Sequence, residues 1–175
     1  MEFPKHNLKL LVDESPDYAQ VKVVNTVYVK RRNSLMKKLC LSIVLQLSYF
    51  LAFTAQHFVV HSIFLVVFVY NASRLLSLVD SEVLKIVNDF GIEKSTVFTF
   101  GRRQQVFVPV NNVFKVVINE VIYLDRGVIY VLQVLTDGDF YKESPVIVLF
   151  DTLLPPLACL EIVYKKIHSS FLRDR

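Results

Sequence analysis

The sequence holds two cysteines, four glycines and six prolines in 175 residues. Two cysteines cannot staple a disulfide scaffold, and so little glycine and proline excludes a collagen-like or low-complexity chain. Cys40 lies in an apolar run and Cys159 near the C-terminus. That spacing suits neither a metal site nor a CxxC redox pair, and it reads as two buried thiols in a reducing compartment. Charge is also scarce. Asp, Glu, Lys and Arg make up 21% of the chain, hydrophobic residues make up 53%, and mean hydropathy is +0.43. A soluble domain is nearer about 45–50% apolar, so disorder is excluded for most of the chain and the apolar excess must be placed somewhere. The length fits one domain, or one small domain with an appendage. Dinucleotide and nucleotide-sugar enzymes usually need a longer chain.

The positive charge is confined to one end. Residues 1–38 hold eight Lys/Arg against four Asp/Glu, whereas residues 39–175 hold twelve of each. A nucleic-acid-binding domain would carry its basic face on the fold itself, so nucleic acid is not the expected partner. A basic cluster beside an apolar run reads instead as a membrane topology signal. Within residues 1–38 the apolar positions alternate weakly (Leu8, Leu10, Val12; Val21, Val23; Val27, Val29), which fits one or two short strands around the turn-like Glu14-Ser15-Pro16-Asp17. The charged start is not that of a cleaved signal peptide.

Between Lys38 and Arg74 there are 35 residues without Lys, Arg, Asp or Glu. One bilayer crossing needs about 20 residues. The stretch is too long for one span and barely enough for two, with polar Gln56, His57 and His61 in its middle. It therefore reads as a hairpin: a helix from about Leu39 to Ala55, a turn near Gln56–His61, and a return helix from about Ser62 to Leu78. The alternative is one tilted or kinked helix with an interfacial extension. Lys30, Arg31, Arg32, Lys37 and Lys38 precede the run and Arg74 follows it, so two crossings would leave both termini in the cytosol.

All four glycines lie beyond residue 80, each beside polar residues between Val-, Ile-, Phe- and Tyr-rich runs. That pattern predicts strands at about 82–88, 92–100, 104–109, 113–122, 128–136 and 145–150, joined by tight turns into an antiparallel meander. The chain then ends in a helix with Asp151 or Thr152 as its cap. Leu153, Leu157, Leu160, Tyr164, Ile167 and Phe171 form one apolar stripe along it. The expected fold is an α+β membrane protein. Residues 1–38 would be a basic cytosolic segment and residues 39–78 an N-terminal two-helix transmembrane hairpin. Residues 80–175 would be a cytosolic, pleckstrin-homology-like antiparallel β domain closed by a C-terminal amphipathic helix.

No complete catalytic constellation emerges. Asp137-Gly138-Asp139 has the DxD form of metal-dependent glycosyltransferases, but Asp-Gly is also a preferred hairpin turn. His57 and His61 are spaced for one helix face, with no further ligand nearby. There is no GxSxG, SxxK or glycine-rich phosphate loop. No catalytic residue, metal or cofactor is assigned. Asn119 and Glu120 form a polar pair inside the apolar run Val116–Tyr123, and strand alternation turns one of them outward. Asn119, Glu120 and Tyr123 are thus candidates for binding a partner. Arg102 and Arg103, on a loop, are candidates for a lipid headgroup, with a solvated turn as the plain alternative.

Several stretches resemble a known family. Val117-Ile118-Asn119-Glu120-Val121-Ile122-Tyr123 followed by Val128-Ile129-Tyr130-Val131-Leu132 is similar to the signature of PIG-H, a component of phosphatidylinositol N-acetylglucosaminyltransferase. Asn88–Ile92, Gly101-Arg102 with Val106–Val108, and Pro156–Tyr164 add matches in the same order. The resemblance covers about residues 80–172. It implies a membrane-anchored, non-catalytic accessory subunit of a complex in the endoplasmic reticulum membrane. That complex moves N-acetylglucosamine from UDP-GlcNAc to phosphatidylinositol on the cytosolic face, the first step of glycosylphosphatidylinositol (GPI) anchor synthesis. It also implies a PIG-A-like catalytic glycosyltransferase as partner, together with other subunits of the complex. Two readings stay open beside it: a membrane-anchored phosphoinositide-binding adaptor, and an independent enzyme using Asp137 and Asp139.

Overall fold

The structure is a computed structural model. It describes residues 1–15, 18–53, 58–87, 89–123, 127–138, 141–142 and 144–171. The chain divides into two compact units. One comprises residues 1–26, 79–97 and 103–175, and the other residues 27–78 and 98–102.

The first unit is built from strands whose alternation decides what they bury. β1 (Glu2–Phe3), β2 (Leu8–Glu14), β3 (Tyr18–Asn25), β4 (Val79–Val87), β5 (Gly91–Phe98) and β6 (Arg103–Pro109) make a six-stranded sheet in that order. β7 (Val113–Tyr123), β8 (Gly127–Thr136) and β9 (Val146–Leu149) make a three-stranded antiparallel sheet. Successive side chains point to opposite faces of a strand. Leu8 and Leu10 of β2, Val21 and Val23 of β3, and Leu84 and Ile86 of β4 therefore enter one core. Val116 of β7 and Leu132 and Val134 of β8 join them from the second sheet. A C-terminal helix (Leu157–Phe171) completes this core with Cys159, Leu160, Val163 and Ile167. These recur at spacings of one, three and four, as one helical face requires. At the start of β5 the backbone passes so close to its neighbour that a Cβ on Gly91 would lie 2.3 Å from the Val108 carbonyl oxygen.

The second unit contains α1 (Tyr28–Phe53) and α2 (Phe58–Leu76), with the C-terminal helix above being α3. Tyr49 of α1 meets His61 of α2 edge-on, ring centroids 5.5 Å apart, and packs beside Phe64 at 6.1 Å.

The expected fold class needs correction. This is a mixed α/β chain with two antiparallel sheets and, among the described residues, three α-helices. It is not an N-terminal two-helix transmembrane hairpin followed by a pleckstrin-homology-like domain. Three strands precede the helices, and β3 pairs with β4 across them, Val24 opposite Ser81 and Tyr18 opposite Val87. The helices are an insertion between neighbouring strands of one sheet. Moreover, among the described residues only one helix, through Val59–Leu76, is long and apolar enough to cross a membrane. α1 carries Lys30, Arg31, Arg32, Lys37 and Lys38 within the helix itself, not ahead of it. Within the described residues its charge-free part is Leu39–Phe53. Helix α2 already includes His61, and the rest of the expected turn at Gln56 and His57 lies outside the described residues. The C-terminal helix begins at Leu157, so Asp151 and Thr152 are not its cap.

Candidate functional site

The candidate partner-binding residues lie on the β7–β8 ribbon. The register places Val116 opposite Val134, Ile118 opposite Leu132, Glu120 opposite Tyr130 and Ile122 opposite Val128. These pairs share one face of the ribbon. At the Val116 end that face is core. β9 supports only Leu132–Leu135 of β8, so beyond Leu132 the ribbon has two strands, and its core-side face runs on into the open. Ile122 there is 80% exposed and Val128 56%.

Two polar ties hold this overhang in register. On one face the Asn119 carboxamide donates to Gln133 Oε1 at 2.6 Å. On the other the Tyr130 hydroxyl donates to the Glu120 carboxylate. That bond, with the carboxylate's charge, pushes the Tyr130 pKa above the usual phenol value. Asn119 and Glu120 therefore act separately, one on each face, and both are exposed. Tyr123 closes β7 opposite Gly127, and its side chain lies outside the described residues.

The two arginines also separate. The Arg102 guanidinium stacks over the Phe98 ring at 4.4 Å, while Arg103 opens β6 opposite Val97. In the Asp-Gly-Asp stretch the Asp137 carboxylate accepts the Gly138 N–H at 2.7 Å. Asn112 brackets Asp137 through backbone and side chain. Asp137 is thus engaged in its own turn, and Asp139 lies outside the described residues. Among the described residues no three His, Cys, Asp or Glu side chains gather as a metal site.

A third cluster was not anticipated. Glu82 is 1% exposed. Its Oε2 accepts the Leu153 N–H at 3.0 Å, and its Oε1 faces the Thr152 N–H at 3.4 Å and the Thr96 hydroxyl at 3.5 Å. Burial pushes its pKa up to about 7, opposed by the Leu153 N–H and reinforced by the neighbouring Asp151 carboxylate. Burial also acts against ionisation of Asp151. The Lys94 ammonium, 2.6 Å away, and the bond from Glu82 outweigh it, so Asp151 stays below the usual carboxylate range. The pair therefore keeps its proton on Glu82 and its negative charge on Asp151, against Lys94. Lys94 in turn donates to the Val148 carbonyl at 2.8 Å. The cluster clamps the loop between β9 and α3, where Phe150 (φ 55°) and Leu154 (φ 45°) hold left-handed backbone without being glycine. The signal was present in the sequence. Glu82 shares its parity with Leu84 and Ile86, so alternation turns it toward the core.

Comparison with known proteins follows the same segment. The family model described as "PIG-H: GPI-GlcNAc transferase complex, PIG-H component" matches residues 83–151. The H subunit of phosphatidylinositol N-acetylglucosaminyltransferase from Mus musculus is 30% identical over 88 residues, 50% of this chain and 47% of the relative. Its counterparts from Homo sapiens and Bos taurus are each 31% identical over the same length and shares. The chain spans about half the length of the curated relatives it matches. The matched residues 83–151 contain the β7–β8 ribbon with its overhang, together with Lys94 and Asp151 of the clamp, so the similarity to the PIG-H family falls on the segment that holds both.

Proposed function

We propose that the chain is an accessory, non-catalytic subunit of a complex that transfers N-acetylglucosamine from UDP-GlcNAc to phosphatidylinositol, at the start of GPI-anchor synthesis. The observation that carries this reading is the coincidence of the family match with the ribbon overhang. The matched segment presents Ile122 and Val128 to solvent on the continuation of a core face. Exposed apolar side chains flanked by satisfied polar pairs suit a protein partner, since they supply buried area without leaving a polar group unpaired. The partner on this reading is the PIG-A-like glycosyltransferase subunit, docked on the face of Glu120, Ile122 and Val128, with Asn119 and Tyr123 at strand positions of the opposite face.

Membrane attachment fits the same reading. α2 supplies an apolar surface of spanning length. The pairing of β3 with β4 returns the chain to the side it left, so α2 does not by itself carry the chain across a bilayer. The insert therefore holds the β unit at the membrane from one side. Lys30, Arg31, Arg32, Lys37 and Lys38 ahead of the apolar stretch favour the cytosolic side, here of the endoplasmic reticulum. Attachment to one surface raises the effective concentration of subunit contacts, so a modest docking patch suffices.

The test is affinity purification of the full chain in mild detergent, with identification of what accompanies it. A glycosyltransferase subunit is expected with the wild type and lost, or reduced about tenfold, with Ile122→Asp, while thermal stability holds. Glu120→Ala is expected to weaken recovery less. Recovery of the wild type without any glycosyltransferase overturns the assignment. Recovery unchanged by both substitutions removes the overhang as the docking surface.

A further inference from the structure

The face of the six-stranded sheet that turns away from the core carries a groove of about 440 Å³. Alternation explains its lining. Since Val21, Leu84, Ile92 and Val108 point inward, Lys22 of β3, Ser81, Val83 and Lys85 of β4, Ser95 of β5, and Arg103 and Gln105 of β6 point the other way. An outward sheet face usually carries long polar side chains throughout. Here Ser81 and Ser95 are only 1% and 8% exposed, and they form a low floor between taller walls.

The walls carry charge of both signs. Lys22 and Lys85 are diagonal neighbours, because Lys22 pairs with Val83 and Gln20 with Lys85. Arg103 stands on the far wall, three strands away, about 14 Å at the usual strand spacing. Two carboxylates, Asp80 and Glu93, lie among these cations. Glu93 already accepts from the Gln105 carboxamide at 3.2 Å, and Asp80 lies 3.4 Å from the Ser81 hydroxyl. Lys85 rests over the Tyr18 ring at 4.9 Å, which leaves its ammonium donors free to turn to a ligand. Among the described residues neither Lys22 nor Arg103 has an ion-pair partner, and the Ser95 hydroxyl has no hydrogen-bond partner.

This chemistry is selective. Two half-buried lysines with an exposed arginine on the opposite wall call for an anion with oxygen acceptors, and a guanidinium suits phosphate in particular. The carboxylates would repel a flat anionic surface or a polyanion. They would welcome hydroxyl donors, as the serine hydroxyl and the carboxamides would. The volume lies within the range of small-ligand sites, about 300–1,000 Å³.

We propose that this groove binds a phosphorylated polyol, with the phosphate held by Lys22, Lys85 and Arg103 and the ring hydroxyls bonded to Asp80, Ser95 and Gln105. The ligand is either the headgroup of an inositol lipid or a soluble sugar phosphate, two sources of one chemistry. The site is independent of the partner surface on the β7–β8 ribbon.

The test is calorimetric titration of the full chain, in neutral detergent, with glycerophosphoinositol, N-acetylglucosamine 1-phosphate and inorganic phosphate. Flotation with neutral vesicles containing either phosphatidylinositol or phosphatidylserine accompanies it. At least one polyol phosphate should bind about tenfold or more tightly than inorganic phosphate, and Lys22→Glu/Arg103→Glu should remove that binding, since each lost charge-assisted bond is worth a factor of about ten. Preference for glycerophosphoinositol with flotation on phosphatidylinositol vesicles alone assigns a lipid source. Preference for the sugar phosphate without vesicle selectivity assigns a soluble one. Lys22→Gln, a milder change at a half-buried position, should weaken binding severalfold and carries the test if circular dichroism shows the double variant unfolded. Polyol phosphates bound no better than inorganic phosphate, or bound equally by the variants, overturn the proposal. Recovery of a glycosyltransferase with the same variants, measured separately, keeps this outcome distinct from that of the subunit reading.

Discussion

The two ends of the β7–β8 ribbon follow one pattern and meet opposite fates. At one end Val116, Ile118, Leu132 and Val134 face the core, and α3 packs against it. At the other end the same alternation continues through Glu120, Ile122, Tyr130 and Val128, yet Ile122 and Val128 stand in solvent. Alternation sets which face of a strand a residue occupies. It does not set whether anything covers that face. In this molecule β9 supports only part of β8, and the uncovered remainder is the surface that the proposed function assigns to a partner.

The sharpest break of that comparison is substitution at matched depth. Leu132→Ala, at a fully buried position, should cost about 2–5 kcal/mol in denaturant unfolding of the purified chain. Ile122→Ala, on the same face, should cost no more than roughly 0.5 kcal/mol. Equal costs would show that the overhang is covered within the chain. Gly91→Ala should follow Leu132→Ala in size, at about 2 kcal/mol or more, because the new Cβ meets the Val108 carbonyl oxygen at 2.3 Å. A melting midpoint unchanged by that substitution would refute the close approach.

The two glutamates of that parity extend the comparison. Glu82 is enclosed and holds its proton up to about pH 7, whereas Glu120 is exposed and engages Tyr130. For an acid whose folded-state pKa is raised, the native state binds the proton more tightly than the unfolded chain. Its stabilising contribution is complete below the unfolded value near 4.5 and is lost as pH rises to about 7. Asp151, shifted the other way, changes stability only at lower pH and leaves this window alone. Unfolding free energy of the wild type should therefore fall by about 1–3 kcal/mol between pH 5 and pH 7.5. Glu82→Gln should flatten that slope. A slope that survives the substitution would assign the titration to another group. The smallest effect expected is that of Glu120→Ala on stability, within about 0.5 kcal/mol, which sets it apart from any loss of partner recovery.

Much of the β unit was legible beforehand. The strands beyond residue 80 lie within a few residues of their expected positions, because Val-, Ile- and Phe-rich runs between turn residues leave few alternatives. β2 and β3 were legible only as weak alternation around Leu8, Leu10, Val21 and Val23. Nothing local announced that they form a sheet with β4, more than fifty residues away. The helical insert misled for a related reason. A charge-free stretch of 35 residues reads as two spans, but α1 starts eleven residues before it and carries the basic cluster within its own helix. The Asp151 side chain, expected at a helix cap, went to Lys94 instead, because β5 brings a cation there and sequence separation hides it.

The sequence by itself determined the face of each strand, the Leu160 and Ile167 part of the buried stripe of α3 and the concentration of positive charge ahead of the apolar stretch. All of these follow from side-chain periodicity and local composition. Tertiary structure alone decided that β3 and β4 are neighbours, that Glu82 meets Lys94 and Asp151, that Ser81 and Ser95 floor a charged groove, and that Ile122 is left uncovered. These depend on which distant segments pair and where their pairing stops. Such long-range choices are set by the fit of the whole core, and no short window of residues contains them.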